Sequence, residues 1–392
     1  MVYWHSSQCS PLNPKPLKFM QRRHLLAYAA LGTATTALTG CQTEISTIVG
    51  NPIKANNPLV EWQMVSSWPT VLDTLQGIVQ HIIQRVRELT EERFQITLQT
   101  PQPPLKGAAV LEAVQAGTVQ CGHTIAHYYL DRNPSFAFGS GVPFGLTPAQ
   151  QQSWLYDGGG LEIMQSLYAD FKTIAFPAAN TGMQMGGWFK IEVNTPADLQ
   201  GLNMRIVGLG ADILRRLGLR PHSLPPAEIF AALQQNQVDA AEWIGPYDDE
   251  RLELYKAAPY YYYPGWWEPG SSCDFIIHQE AWAKLPLHYQ QILKTVAAEA
   301  DSLALARYNR KNPQALSRLL DKGTQLRPFS PEILKRCQTE TTALLEEIAS
   351  NNPTFQTAYR SWQSFRDEAY RWARVSEMAL GNFLEPLPPL PK

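Results

Sequence analysis

Four side chains in this sequence could share one piece of chemistry. Gln184 lies in the run Asn180-Thr-Gly-Met-Gln-Met-Gly-Gly-Trp-Phe-Lys190, and Arg205 closes Gly201-Leu-Asn-Met-Arg205. Glu242 stands in Ala241-Glu-Trp243, and Glu268 in Trp267-Glu-Pro-Gly270. A guanidinium is always charged and offers a planar fork that grips a carboxylate at two points. Arg205 falls in a short apolar strand pattern just before Gly208-Leu-Gly210, and strand ends facing a crevice are the usual ligand position in open α/β folds. A surface ion pair would use the same residue. Glu242 follows a strand pattern and could ligate a hard cation, with Gln184 and Glu268 as co-ligands and backbone carbonyls filling the remaining positions. A capping or ion-paired glutamate is the plainer alternative. Together the four suit a small anion held beside a metal cation in a dry pocket.

Aromatic residues surround these positions. Tyr260-Tyr-Tyr-Tyr-Pro-Gly-Trp-Trp267 could be core, an interface, or a wall that keeps water from a small ligand. In His127-Tyr128-Tyr129 the phenols could donate to a carboxylate or simply pack. Catalytic templates are missing: the chain holds no G-x-S-x-G elbow, no P-loop and no H-E-x-x-H, and its glycine clusters lack dinucleotide spacing. An enzyme using Glu242 or Glu268 as general base on small carboxylates is the competing reading, and a lipid-anchored scaffold using the aromatic patches is a third.

The elements that must position these groups are legible in outline. With 392 residues, 44% of them hydrophobic, the chain can fill a sizeable core and favours two lobes. A net charge of −2 gives no basic field for nucleic acid. Strand patterns at 59–65, 94–98, 120–124, 172–176, 204–207 and 238–242 alternate with helical periodicity at 72–92, 110–116, 211–217 and 226–235. This rhythm predicts an α/β fold with parallel-type sheets covered by helices. From Gln279 the pattern turns helical, with long helices predicted at 290–308, 331–349 and 355–384; the Pro-rich end after Leu384 cannot extend the last one. The division is a first lobe at 59–180, a second lobe at 181–270, a return to the first lobe with helices at 271–350, and a C-terminal helix and tail at 351–392.

The first residues read as an export signal. Arg22-Arg23 precede a mildly apolar run from Leu25 to Leu38 that ends Leu38-Thr-Gly-Cys41, which fits both twin-arginine and Sec export. Leu-Thr-Gly-Cys is similar to a lipobox, in which Cys41 would be lipidated. Residues 42–58 read as a tether. Past the leader, no stretch reaches the roughly 20 apolar residues that span a bilayer. Cys121, Cys273 and Cys337 are too few and too scattered for a disulfide framework, and read as buried thiols.

Across roughly residues 60–385, the fragments Ser66-Ser-Trp-Pro69, Asn180–Phe189, Leu199–Arg205, Asp239–Trp243 and Trp267–Gly270 resemble the extracytoplasmic solute receptors of TRAP transporters, in their 2-oxo acid-binding branch. The resemblance implies a two-lobed, Venus-flytrap receptor in the periplasm that closes on a small carboxylate such as pyruvate and hands it to membrane subunits. It implies no enzymatic activity. It implies that Arg205 clamps the carboxylate, that Gln184, Tyr128, Tyr129 and Trp243 also lie at the substrate, and that Gln184, Glu242, the backbone of Trp243 and, with a weaker match, Glu268 hold one cation, sodium or calcium. It further implies a homodimer formed through the C-terminal helix.

Overall fold

The computed structural model describes residues 57–99 and 107–384. The expected export signal with Cys41, nearly all of the expected 42–58 tether and the Pro-rich tail lie outside the described residues. Eleven strands are found among those described: β1 (Val60–Ser66), β2 (Phe94–Leu98), β3 (Cys121–Thr124), β4 (Thr173–Asn180), β5 (Gly187–Phe189), β6 (Asn203–Arg205), β7 (Arg220–His222), β8 (Ala240–Ala241), β9 (Tyr260–Tyr263), β10 (Ser272–His278) and β11 (Gln325–Pro328).

They form two sheets. The first has the order β2-β1-β3-β10-β4, the second β11-β9-β5-β8-β6-β7. The expected parallel character holds for β2-β1-β3 and for β8-β6-β7. It fails at β10, which runs antiparallel to both β3 and β4, and at β5, which runs antiparallel to β8 and β9. Both sheets are therefore mixed. No strand pattern marked β10 in advance, because six of its seven residues are buried and polar Ser272 and Asp274 interrupt the apolar run. A strand covered on both faces shows no alternation. The 271–350 stretch supplies β10 to the first sheet and β11 to the second.

Helix Leu75–Leu89 shows how sequence becomes packing. Leu75, Ile78, Val79, Ile82 and Val86 repeat at helical spacing, and all five are fully buried. The long helix Leu287–Asp321 runs past the predicted stop at Tyr308 and straight through Pro313. Proline removes one helical hydrogen bond, but here its ring faces outward and packed residues on either side (Tyr308, Ala315, Leu319) carry the helix through. The predicted single C-terminal helix is instead two, Pro353–Val375 and Glu377–Leu384, separated by Ser376 in a non-helical conformation. Phe355, Tyr359 and Trp362 pack around Phe138. Beyond Tyr370, whose hydroxyl donates to the carbonyls of Phe144 and Gly145, the large apolar side chains are exposed: Trp372 is 69% and Phe383 80% exposed. Cys121, Cys273 and Cys337 are buried free thiols.

One tight approach underlies the second sheet. Gly187 has φ +90°, and a Cβ there would sit 2.8 Å from the Ala241 carbonyl oxygen and 3.1 Å from the Glu242 Cα. Gly201 has a similar φ of +77° with nothing within 4 Å. Gly187→Ala therefore meets both backbone strain and a clash, and should lose about 1–3 kcal/mol in urea titration. Gly201→Ala should lose less, having strain alone. Equal losses would show that the β5–β8 approach is not close.

Candidate functional site

The cavity that collects the predicted residues has a volume of about 330 Å³, counting the solvent at its mouth. Gln184, Arg205, Glu242, Trp243, Glu268 and Tyr128 all line it. The four polar groups are 5%, 1%, 5% and 7% exposed for Gln184, Arg205, Glu242 and Glu268.

Register brings the charged pair together. β6 and β8 are parallel, with Arg205 opposite Ala241, so Glu242 comes one residue beyond the pairing and donates its backbone N–H to the Arg205 carbonyl at 3.1 Å. The Arg205 guanidinium donates through Nη1 to the Glu242 carbonyl (2.7 Å) and to Glu242 Oε1 (2.5 Å), and through Nε to the Leu224 carbonyl (3.1 Å). The Trp243 ring lies under it, 5.1 Å from the guanidinium carbon.

Two adjacent chain segments supply the remaining donors. Thr181 N–H donates to Ser271 O and Gln184 N–H to Pro269 O, which ties 180–184 to 268–272. The Gln184 amide nitrogen donates to Thr181 Oγ1 (3.0 Å) and Ser271 Oγ (2.8 Å). Those two bonds orient the amide and leave its oxygen for another partner. Ser271 Oγ donates in turn to Glu268 Oε2 at 2.5 Å, and the other Glu268 oxygen lies 2.8 Å from His127 Nδ1.

Not every predicted residue arrives. Tyr128 lines the cavity, and burial pushes its phenol well above the usual range, so it stays a protonated donor. Tyr129 does not line it: its hydroxyl donates to Thr124 Oγ1 at 2.7 Å and its ring packs edge-on against Phe136. Adjacent residues on a short turn point apart, so the two phenols could not share one role. The tyrosine run becomes β9, whose Tyr261 and Tyr262 are buried core. Sequence reading assigned no role to Ser271, Thr181 or His127. Ser271 was within reach of inference, since it directly follows Trp267–Gly270. It also overlooked Asp249, which accepts from Ile244 N–H, Trp188 Nε1 and Tyr261 Oη and so braces the loop after Glu242.

The electrostatics favour a cation. Burial pushes Glu242 up to about 8; the Arg205 guanidinium opposes this, while Glu268 and Asp249 reinforce it. One guanidinium cannot neutralise two buried carboxylates. Most donors in the lining are oxygens (the two carboxylates, the Gln184 amide oxygen and hydroxyls of Thr181 and Ser271), which suits sodium or calcium. The His127 imidazole and the Cys273 thiol line the cavity too, and burial raises that thiol and keeps it protonated, a poor metal ligand.

Two mixed sheets with a buried guanidinium and carboxylates between them define a solute-binding receptor of the two-lobed class. The chain belongs to the DctP family, bacterial extracellular solute-binding protein family 7, which it matches over residues 65–352. It is 48% identical over 365 residues to a monocarboxylate 2-oxoacid-binding periplasmic protein of Nostoc sp., covering 93% of this chain and 99% of that one. Solved relatives include a TRAP transporter solute-binding protein from Bordetella bronchiseptica, a mixed-occupancy dimer with calcium and picolinate in the occupied site (TM-score 0.82, 38% identity, 84% and 98% of the two chains). Another comes from Colwellia psychrerythraea with calcium and pyruvate (TM-score 0.80, 32% identity, 82% and 99%). A third, from Pseudoalteromonas atlantica, holds sodium and pyruvate (TM-score 0.79, 31% identity, 84% and 99%). No described helix is long and apolar enough to cross a membrane.

The raised Glu242 carboxyl makes the ligand-free protein pH-sensitive. Its ordinary value is 4.5 and its folded value about 8, so folding takes up a proton between them. Its contribution is complete below pH 4.5 and fades as pH rises through about 8. Buried Asp248, Asp249, Asp274 and Asp301 act with the same sign. The melting temperature of chelator-treated protein should fall from pH 5 to 8.5, and Glu242→Gln should flatten part of that slope. Identical slopes in both proteins would show that Glu242 does not titrate there.

Proposed function

We propose that this chain is the receptor subunit of a TRAP transporter for a small 2-oxo monocarboxylate such as pyruvate, bound jointly with sodium or calcium. One observation carries this reading: the buried Arg205 guanidinium, Glu242, Glu268 and the Gln184 amide face a single small cavity. The 2-oxo acid named for the Nostoc relative, and pyruvate beside calcium or sodium in two solved relatives, support it.

In this reading Arg205 takes the carboxylate of the ligand and Tyr128 donates to it. Gln184 Oε1, Glu242, the Trp243 backbone carbonyl and Glu268 would hold the cation, which would supply positive charge toward the oxygens of the acid. Without ligand, Arg205 and Glu242 satisfy each other. Arrival of an anion and a cation together lets each change partner with no buried charge left alone. Tyr129 has no part in this. The lobes are proposed as 59–180 and 181–270, with 271–350 completing both; delivery to membrane subunits follows from the receptor role. The exported-enzyme alternative has nothing in the family to favour it.

Two further features belong to the same reading. Periplasmic residence fits the family, and Cys41 would tether the receptor by a lipid. The exposed apolar side chains from Trp372 to Leu384 would be covered by a second copy of the chain.

Calorimetric titration of the mature protein with pyruvate should show saturable binding that needs sodium or calcium and vanishes in chelator-treated, sodium-free buffer. Arg205→Ala and Glu242→Ala should each weaken it at least about 100-fold, in line with roughly 3–5 kcal/mol for losing one partner of a buried charge pair. Near-normal affinity in either variant would remove that residue from the site. Sedimentation of the wild type should report a dimer, and Trp372→Glu with Phe383→Glu a folded monomer; a monomeric wild type would dismiss the second-copy proposal.

A further inference from the structure

The site cavity shares one wall with a larger space. An outer crevice of about 1500 Å³, open to solvent and lined in part by Leu224, Pro225 and Asp131, abuts it. His127, Tyr128, Arg205 and Val207 line both. The other apolar walls of the cavity are backed differently. Trp68, Leu75, Ile125 and Ile244 are buried and merge into the packed core behind them.

Three of the four shared residues are tied in place. Arg205 is fixed by Leu224 and Glu242, and His127 by its contact with Glu268. Tyr128 packs edge-on against His127. Val207 is half-buried and its side chain can make no polar tie. It also lies two residues after Arg205, so it borders the place where the head of an acid would be gripped.

We infer that Val207 sets the longest side chain this receptor accepts on a 2-oxo acid, by closing the wall of the cavity that the outer crevice backs. The inference rests on the 2-oxo acid reading above. With the carboxylate and keto oxygens fixed, a longer side chain must either displace packed core or pass Val207. Dense interiors resist added methylenes, whereas the crevice already holds solvent. Val207 has an extended backbone (φ −125°, ψ 178°) that any residue adopts, so its side chain can be changed without backbone strain.

The test is calorimetry at saturating cation with pyruvate and with 2-oxohexanoate, on wild type, Val207→Ala and Ile125→Ala. Hydrophobic pockets discriminate single methylenes by roughly 10- to 200-fold. Val207→Ala should therefore shift the pyruvate-to-2-oxohexanoate affinity ratio about tenfold or more toward the longer acid. Ile125→Ala, which enlarges a wall backed by core, should shift it far less. Val207→Leu provides a second, bulkier variant and should move the ratio the opposite way. An unchanged ratio in folded Val207→Ala and Val207→Leu would overturn the inference, as would an equal shift from Ile125→Ala. A wild type that binds neither acid would instead overturn the 2-oxo acid reading itself.

Discussion

The buried pair of Arg205 and Glu242 is the constraint around which the rest is arranged. Each group would be costly to leave alone in a dry interior, and breaking such a pair by removing one partner costs roughly 3–5 kcal/mol. The register of two very short strands, three residues and two, sets the pair. Such strands cannot hold register by themselves. The guanidinium is therefore gripped from three sides, by a carbonyl of the 224 loop, by Glu242 and by the Trp243 ring.

Support for the pair extends outward through Asp249. Its carboxylate accepts from the backbone of Ile244, and its other partners are Trp188 and Tyr261, whose rings stack 4.0 Å apart across β5 and β9. A change in the core of the second sheet thus reaches the loop that carries Glu242 and Trp243 through a short run of hydrogen bonds. Aromatic residues here serve mainly as scaffolding. The conspicuous tyrosine run contributes its rings to the core, and the wall facing the cavity draws on Trp68, Tyr128 and Trp243 instead.

What was legible in the sequence follows from what kind of signal each feature leaves. Gln184, Arg205, Glu242 and Glu268 line one cavity, as the family resemblance implied; taken singly, Arg205 and Glu242 read as well as ion-paired groups, because residue type alone does not show which face a side chain takes. Strand β2 and helix Leu75–Leu89 were readable because each buries one face only. Strand β10 was not, since burial on both faces erases alternation. The path of the helix through Pro313 was hidden because tertiary packing outweighed a local break. Tyr129 was grouped with Tyr128 by adjacency, yet only the turn geometry decides which of two neighbours faces a cavity. Ser271 and Asp249 act by orienting other groups, and such roles leave no spacing pattern.

The chain passes between the two sheets at 181–186, at 264–271 and again between β10 and β11. The first two passages are bonded to each other, through Thr181 with Ser271 and Gln184 with Pro269. They also carry Gln184 and Glu268. If one sheet swings against the other about these two bonded crossings, the amide and carboxylate that would hold the cation lie at the pivot, with Arg205 and Glu242 on the jaw that moves. An ion seated at a pivot keeps those donors at constant distance whether the jaws are apart or together. Its binding can then come before the acid, and what closure adds is the second grip on an ion already in place.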